Sequence, residues 1–321
     1  MVVCALALGL AAALNAPGAH KRAYNLDDGP KRDVALAITG PLATVSGALL
    51  LDRPRAALQA LAGRSGADEI DTQFGSPAPT KPAPPPKTAA PKRFTPQRPL
   101  RLWIAGDSLA IVPGYSILQA AAGNRALKPV SGVEGRVATG LTRPDVFDWY
   151  EHVREQLRTR KPHAVVLSFG GNDTNPYMTG VPENRSVGDF GSASWILEYR
   201  RRIGLIFDLV ARSGGHTVWI GLPQVRDDEM TRKFDILNTA VSAEAKERPR
   251  TVTYIDTYLD FAGPDGLYAQ YLDRPDGRKL KARADDGIHF EPAGGDIIAE
   301  KVLAALSDVY DITSWRKKAG Q

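Results

Sequence analysis

From Leu100 onward, short apolar runs alternate with longer segments in which apolar residues recur every three or four positions. The short runs predict strands at Arg101–Ala105, Ala164–Ser168, Thr217–Gly221 and Thr251–Asp256, with a weaker strand near Pro129–Val133. The longer segments predict helices at Pro144–Arg160, Ser192–Ser213, Asp227–Glu247 and Pro292–Leu306. Such alternation predicts an α/β fold of three layers, α/β/α, with a central, mostly parallel sheet.

The chain before this domain has a different pattern. Residues 1–16 are almost wholly apolar and predict a signal anchor or a partial transmembrane segment. This run is shorter than the roughly 20 residues of a spanning helix and lacks a basic start, which suggests a misassigned start. The alternative is a buried helix of a soluble domain. Residues 17–75 predict a membrane-proximal helical region, in which Val34–Leu51 either packs beside the membrane or spans it.

Residues 76–99 form the clearest boundary, because they are rich in proline and predict an extended linker. At about 3.1 Å per residue, such a segment reaches on the order of 70 Å. A spacer of this kind lifts a domain off a membrane, so we expect residues 100–321 to lie outside the cytoplasm. The chain would be either membrane-anchored or secreted.

Composition limits the possible partners and cofactors. The chain has 321 residues, a net charge of +5 and one cysteine, Cys4, so an internal disulfide and a thiolate metal cluster are excluded. Basic residues cluster around the linker, where Phe94 is the one nearby aromatic residue, which favours a solvated tether over a nucleic-acid surface. The histidines lack ligand spacing, and the glycines do not match phosphate or dinucleotide motifs. We therefore predict no metal, no cofactor and no nucleic-acid partner, and leave the oligomeric state open.

Candidate chemistry lies where the predicted strands end. Ser108 directly follows the first strand, Asn172 follows the strand at 164–168, and Gly140 follows the weak strand. Asp286 and His289 lie in the loop before the last helix. Each could be an ordinary turn residue, but the carboxyl ends of parallel strands meet at one edge, where sites form. A serine, a histidine, an aspartate and an amide are the groups needed for nucleophilic attack on an ester carbonyl.

These residues stand in four blocks that resemble the SGNH family, also called GDSL-type hydrolases. The blocks are Gly106-Asp107-Ser108-Leu109, Ala138-Thr139-Gly140-Leu141, Gly170-Gly171-Asn172-Asp173 and Asp286-Gly287-Ile288-His289. The resemblance covers roughly Leu100–Ser307 and implies a flavodoxin-like sheet. The glycine block is the least specific, because Gly132 and Gly135 lie nearby. The apolar start, the proline spacer and Gly221-Leu222-Pro223 resemble a membrane-anchored bacterial cell-envelope subgroup of largely unknown function. This resemblance implies a location in the bacterial cell envelope, with the catalytic domain in the periplasm.

The chemistry assigns a role to each block. Ser108 would attack an acyl carbonyl, His289 would take its proton, and Asp286 would orient the imidazole. The backbone N–H groups of Ser108 and Gly140, together with the Asn172 amide, would form the oxyanion hole.

Supporting roles are predicted for three further residues. Asp107 and Asp173 flank the site, and Asp173 would brace the Asn172 loop. Arg226 would face an anionic substrate, or alternatively would cap a helix or pair with Asp227 or Asp228. Three aromatic residues are candidates for a sugar platform or for core packing: Trp149, Tyr177 and Tyr268.

The predicted function is an extracytoplasmic serine esterase that removes small acyl groups, such as acetyl, from an envelope or extracellular glycan. The substrate partner would be an acylated glycan or a small ester, and the N-terminal segment would contact the membrane. An O-acyltransferase using the same residues, or a non-catalytic glycan-binding or assembly protein, are the alternatives. A lipase would need an apolar lid, whereas the loop at 177–191 is polar.

Overall fold

The computed structural model describes residues 9–24, 30–61, 91–174, 178–181, 187–274 and 277–314. Its centre is a parallel sheet of six strands. These strands are β2 (Leu100–Gly106), β3 (Leu127–Pro129), β4 (Glu134–Gly135), β5 (Ala164–Ser168), β6 (His216–Ile220) and β7 (Val252–Ile255). The order is β3-β2-β5-β6-β7, and β4 pairs with β2 beyond the end of β3. The predicted α/β class with a mostly parallel sheet is confirmed.

Helices cover the sheet in two groups. Helix α4 (Ile111–Ala122) packs against α8 (Pro292–Val309), whereas α5 (Trp149–Arg160), α6 (Ala193–Arg212) and α7 (Asp228–Lys246) pack in series. Each helix of the second group begins with a side-chain N-cap. Asp148 accepts a hydrogen bond from the backbone N–H of Glu151 in α5, and Ser192 and Asp227 accept equivalent hydrogen bonds at the starts of α6 and α7. Strand β5 is buried along its whole length, as expected for a central strand covered on both faces.

Two elements at the nucleophile side differ from the predictions. Helix α4 was not predicted because Pro113 and Gly114 disfavour helices, yet Pro113 lies in the first turn, where its missing N–H costs little. Gly114 is needed because a Cβ there would lie 2.6 Å from Val133. The predicted strand at 129–133 is replaced by the short strands β3 and β4, which pair with different parts of β2.

The folded domain begins earlier than the predicted boundary at residue 100. Strand β1 (Lys92–Arg93) pairs in parallel with β10 (Tyr310–Asp311). Phe94 is fully buried and packs against the rings of His163 and Tyr310. The end of the predicted linker, 92–99, is therefore part of the domain, because one aromatic side chain anchors it. Residues 62–90 lie outside the described residues.

The N-terminal region contains helices α1 (Ala16–Tyr24), α2 (Pro30–Ala48) and α3 (Arg53–Leu61). Helices α1 and α2 pack together, and His20 Nδ1 lies 3.1 Å from Thr39 Oγ1. In the described part of the chain, no helix has by itself the length and apolar character to cross a membrane. Pro30–Ala48 and Arg53–Gln59 meet these criteria only as a pair, with an 89° bend between them. The anchor predicted at 1–16 lies partly outside the described residues.

The remaining elements lie between β7 and α8. A short antiparallel hairpin is formed by β8 (Tyr271–Asp273) and β9 (Lys279–Lys281). It was not predicted, because three-residue strands are too short to show a periodic pattern. The chain then forms an isolated antiparallel bridge between Arg283 and Phe290, and the segment enclosed by this bridge carries Asp286 and His289.

Candidate active site

The candidate nucleophile stands on a tight turn at the end of β2. Asp107 caps a single 3₁₀ turn, Ser108–Ala110, by accepting a 2.8 Å hydrogen bond from the N–H of Leu109. Gly106 is required just before it, because a Cβ at that position would lie 2.0 Å from the carbonyl oxygen of Ser168. Ser108 is thus held at the first position of the turn, where its N–H has no intrahelical acceptor.

Ser108, His289 and Asp286 form a continuous chain of hydrogen bonds. The Nε2 atom of His289 lies 2.8 Å from the Ser108 hydroxyl oxygen, and its Nδ1 atom lies 2.6 Å from Oδ2 of Asp286. A neutral imidazole with its proton on Nδ1 would donate to Asp286 and accept from Ser108. The structure therefore joins groups that are 181 residues apart in sequence into the arrangement that activates a serine.

Asp286 is held in its ionised form. Its Oδ1 atom accepts hydrogen bonds from the backbone N–H groups of Ile288 (2.8 Å) and His289 (2.9 Å). Partial burial acts to raise the pKa of Asp286, but these N–H groups and the His289 imidazole outweigh it and lower the pKa to about 2. A carboxylate that is ionised across the neutral range can stabilise an imidazolium on His289.

The candidate oxyanion groups are tied to each other. Asn172 donates a side-chain N–H to the carbonyl of Thr139 at 3.0 Å. Gly140 is the next residue, and a Cβ there would lie 2.1 Å from Oδ1 of Asp173. The Gly140 loop and the Asn172 loop are therefore in direct contact, and the close approach of Asp173 explains why a glycine stands at position 140. Gly132, one of the alternatives, has open space around its Cβ position.

Asp173 braces this contact from below. It is fully buried and accepts hydrogen bonds from the backbone N–H of Thr142 (2.8 Å), the Thr142 hydroxyl (2.9 Å) and the Tyr199 hydroxyl (3.0 Å). Burial raises the pKa of Asp173, while N–H groups of Leu141 and Thr142 oppose the shift. Asp173 therefore ties the loop that carries Asn172 to Thr142 and to Tyr199 of helix α6.

Asp107 connects the nucleophile turn to the Asn172 loop. Its Oδ2 atom accepts hydrogen bonds from the backbone N–H groups of Gly170 (3.0 Å) and Gly171 (2.8 Å). Complete burial raises the pKa of Asp107 to about 7, against the hydrogen bonds from Leu109, Gly171 and Gly170, and the nearby Asp173 carboxylate adds to the rise. Asp107 and Asp173 are thus two buried acids beneath one site.

Arg226 lies beside the Asp286–His289 loop and makes none of the alternative contacts predicted for it. Its guanidinium donates to the carbonyl of Asp285 at 2.8 Å, and its backbone N–H donates to Gly287 at 3.0 Å. Helix α7 is capped by Asp227 itself, which accepts from Met230 at 2.7 Å. Arg226 therefore supports the loop that carries the candidate acid and the candidate base.

The aromatic candidates have different positions. Trp149 is fully buried and donates its indole N–H to Thr139 Oγ1 at 3.0 Å, so it is a core residue that supports the Gly140 loop. Tyr268 is half-buried, 5.8 Å from the Arg226 guanidinium, measured to its ring centroid. Tyr177 lies outside the described residues, as do parts of the loop at 177–191.

Arg202 is a supporting residue that the sequence did not reveal. It is fully buried in α6, pairs with Glu198 at 2.9 Å, and donates to the carbonyl oxygens of Leu141 (2.7 Å) and Thr179 (2.6 Å). In the sequence, Arg202 stands out only as a charged residue within the apolar stripe of α6. The sequence alone does not show whether its side chain is buried or exposed. Within the described ranges, no group of three or more His, Cys, Asp or Glu side chains could hold a metal ion.

Comparison with known proteins gives a family match and similarities to solved structures. A family model described as protein of unknown function (DUF459) matches residues 101–305. No curated protein matches the chain significantly. The chain resembles the SGNH hydrolases in the order of its four motifs and in its mostly parallel sheet flanked by helices.

Several solved structures are similar in fold. A GDSL-like lipase from Bacteroides thetaiotaomicron is 12% identical, with a TM-score of 0.46, over 65% of this chain and 88% of the other. An acetyl xylan esterase from Geobacillus stearothermophilus is 16% identical, with a TM-score of 0.44, over 64% and 94%. A member of the lipolytic G-D-S-L family from Veillonella parvula is 16% identical, with a TM-score of 0.43, over 65% and 98%. These similarities concern the course of the backbone and assign no activity to the chain.

Proposed function

We propose that this chain, which belongs to the family described as protein of unknown function (DUF459), is a serine esterase of the SGNH type. One observation carries the proposal: His289 bridges Ser108 at 2.8 Å and Asp286 at 2.6 Å. Each distance is within the range in which a base can take a proton and an acid can orient that base.

Acylation would begin at Ser108. Its Oγ atom bonds to the acyl carbon while its proton passes to Nε2 of His289, and the carbonyl oxygen becomes an oxyanion. The resulting imidazolium is stabilised by the ionised Asp286. His289 then returns the proton to the leaving alkoxide, the ester bond breaks, and the alcohol departs, leaving an acyl group on Ser108.

Deacylation repeats these steps with water. His289 takes a proton from water, the hydroxide bonds to the acyl carbon, and the Ser108 Oγ atom leaves with the proton that His289 returns. The products are a carboxylic acid and free Ser108. In both steps the oxyanion would be held by the N–H groups of Ser108 and Gly140 and by the Asn172 amide, where one donor is worth about 3 kcal/mol in other hydrolases.

The proposed substrate is a small O-acyl ester, such as an acetyl group, on an envelope or extracellular glycan. The openness of the site supports this choice. The side chain of His289 is 40% exposed and that of Asp286 is 47% exposed, so an ester attached to a bulky sugar chain can approach them. A long acyl chain would require an apolar enclosure, and the mostly polar sequence at 177–191 does not favour one.

The proposed location is the cell envelope, with the catalytic domain outside the cytoplasm. The proline-rich sequence before Pro91 supports a spacer between membrane and domain. Exposed apolar residues support membrane contact: Val34, Ile38 and Val45 recur on one face of α2, and Leu49 directly follows the helix. Basic residues at its start, Lys31 and Arg32, would suit anionic headgroups.

An O-acyltransferase is the second candidate. It would form the same acyl-Ser108, but a sugar hydroxyl would take the place of water in the second step. The exposure of the His289 side chain favours this alternative as much as hydrolysis, because an acceptor as large as a sugar can reach the base. A non-catalytic glycan-binding or assembly protein would not need the hydrogen bond between Ser108 and His289.

The test is hydrolysis of p-nitrophenyl acetate by the full-length chain and by Ser108→Ala. The matched control is Ser131→Ala, in which a serine hydroxyl bonded to its neighbouring carbonyl is removed from another loop. We expect turnover in the parent and the control, and a loss of at least about 10³-fold in Ser108→Ala. Equal turnover by Ser108→Ala and the parent would exclude Ser108 as the nucleophile.

Two additions separate the alternatives. An acceptor glycan added to the same reaction would become acylated only by a transferase. A series of chromogenic esters of increasing acyl length should show falling turnover beyond short chains, whereas a rise would indicate a lipase. Absence of turnover with every ester, together with binding of a glycan that survives Ser108→Ala, would favour the non-catalytic protein.

A further inference from the structure

Arg283 is a buried cation directly beneath the Asp286–His289 loop. Its side chain is fully buried, and its guanidinium donates hydrogen bonds only to main-chain carbonyl oxygens among the described residues. The acceptors are Gln224 at 2.5 Å, Ile288 at 2.6 Å and His289 at 3.3 Å. Two of these three carbonyls belong to the end of the loop that presents the candidate base.

The surroundings of Arg283 are aromatic rather than acidic. The guanidinium carbon lies 4.9 Å from the ring centroid of Phe290 and 5.3 Å from those of Phe261 and Tyr268. No carboxylate lies within ion-pair distance of it in the part of the chain that the structure describes. Burying such a charge is costly unless its N–H groups are used. Burial lowers the pKa of Arg283 to about 10, which leaves it protonated at neutral pH.

Arg226 makes the reciprocal connection. Arg283, from the His289 side, reaches the carbonyl of Gln224 in the loop after β6. Arg226, from that loop, reaches the carbonyl of Asp285 at 2.8 Å and bonds Gly287 through its own N–H at 3.0 Å. The two arginines thus tie the Asp286–His289 loop to the end of a central strand. Gly287, with φ +80°, leaves no room for a Cβ, which would lie 2.6 Å from the Cβ of Arg226.

This connection matters because the hydrogen bonds within the loop hold His289 relative to Asp286 but do not set its distance from Ser108. The loop precedes α8 and must place Nε2 within 2.8 Å of Ser108, on a different strand end. A displacement of about 1 Å in such a group can cost on the order of 10²-fold in rate. A planar guanidinium group that donates to two successive carbonyl oxygens fixes both the position and the orientation of the loop end.

We infer that Arg283, assisted by Arg226, is a positioning residue that sets the His289 imidazole in line with Ser108. This inference rests on the proposed esterase function. It predicts that disturbing Arg283 slows the chemical step and leaves substrate binding largely unchanged, since neither arginine would need to touch the ester.

The test compares Arg283→Lys with the parent full-length chain in p-nitrophenyl acetate hydrolysis. Lysine keeps the charge but cannot bind three carbonyls as a planar fork. We expect kcat to fall about 10- to 100-fold while KM changes less than about twofold. Labelling of Ser108 by a fluorophosphonate, in which Oγ displaces fluoride from phosphorus, should slow in parallel because it needs the same base.

The matched control is Arg248→Lys. Arg248 is a partly buried arginine that bonds Asp208 and Glu244 on α6 and α7, and none of its hydrogen bonds reaches the site loops. A comparable loss of melting temperature in both variants, with kcat reduced only in Arg283→Lys, would separate positioning from general stability. A kcat within twofold of the parent in folded Arg283→Lys would overturn the inference.

A second variant tests the inference if Arg283→Lys does not fold. Arg226 is exposed, so Arg226→Gln should fold, and we expect kcat to fall about 5-fold with KM unchanged. A raised KM with parental kcat would instead place Arg226 at the substrate and overturn its positioning role. If the parent itself shows no Ser108-dependent turnover, the esterase proposal fails; if the parent is active and both arginine variants match it, only the positioning role fails.

Discussion

Oδ2 of Asp107 accepts a hydrogen bond from the backbone N–H of Gly171 at 2.8 Å. The acid inside the serine motif is therefore the link between the nucleophile turn and the loop that carries Asn172. The same oxygen accepts from Gly170, while Oδ1 accepts from Leu109 within the turn itself. Asp107 thus sets the distance between a candidate nucleophile and a candidate oxyanion donor without needing to contact a substrate.

Asp107→Asn should destabilise the protein by about 2–3 kcal/mol, because an amide has only one acceptor oxygen for N–H groups on two sides. At least one buried N–H would then face an amide NH₂. Urea denaturation of the full-length chain measures the change. Asp265→Asn is the control, since Asp265 makes the same i to i+2 bond, to Leu267, in an exposed turn. Equal stabilities of the two variants would contradict the bracing role of Asp107.

Gly140→Ala should reduce ester turnover at least about 10²-fold, because the new Cβ would meet Asp173 and push the loop away from Asn172. Gly132→Ala is the matched control, with nothing within 4 Å of its Cβ position. Both are measured as kcat/KM for p-nitrophenyl acetate. If Gly132→Ala caused the larger loss, the glycine block would have to be reassigned.

The sequence predicted most of the sheet because its central strands are short, continuous apolar runs. The bounds predicted for β5 match the structure, since all five of its residues are buried. Strands β3 and β4 were merged into one, because strands of three and two residues leave no periodic signal. Helix α4 was not predicted because Pro113 and Gly114 have a low helix propensity. Packing stabilises the helix despite these two residues.

The motifs identified which residues would meet, but not what holds them together. Ser108, Asn172, Asp286 and His289 were selected by residue type and by their position after predicted strands. The contacts of Tyr199 with Asp173, and of Arg283 with the His289 loop, join different elements through buried side chains. No spacing rule predicts them, because they depend on the tertiary arrangement of those elements. The roles of the site residues therefore remain predictions for the experiments to decide.

Asn172→Ala should lower kcat for short esters by about 10²- to 10³-fold, because one oxyanion donor is lost. KM should change little, since the interaction strengthens as charge develops on the carbonyl oxygen. Stopped-flow measurement of p-nitrophenol release separates the two constants. Asn124→Ala is the control, because Asn124 also donates its side-chain amide to a carbonyl, that of Ile312, in another part of the domain. A loss confined to KM would exclude the oxyanion role.

His216 should make the folded domain lose stability in acid. It is buried on β6 with Nε2 2.8 Å from Thr253 Oγ1, and burial lowers its pKa from 6.5 to about 4. Between these two pH values the unfolded chain binds more protons at His216 than the folded chain, so the free energy of unfolding falls as pH decreases. His216→Gln should remove up to about 1.4 kcal/mol per pH unit of that slope. Urea denaturation of both proteins from pH 4 to pH 7 gives the comparison. Parallel curves would show that the pKa of His216 is the same in the folded and unfolded chains, which would contradict the prediction.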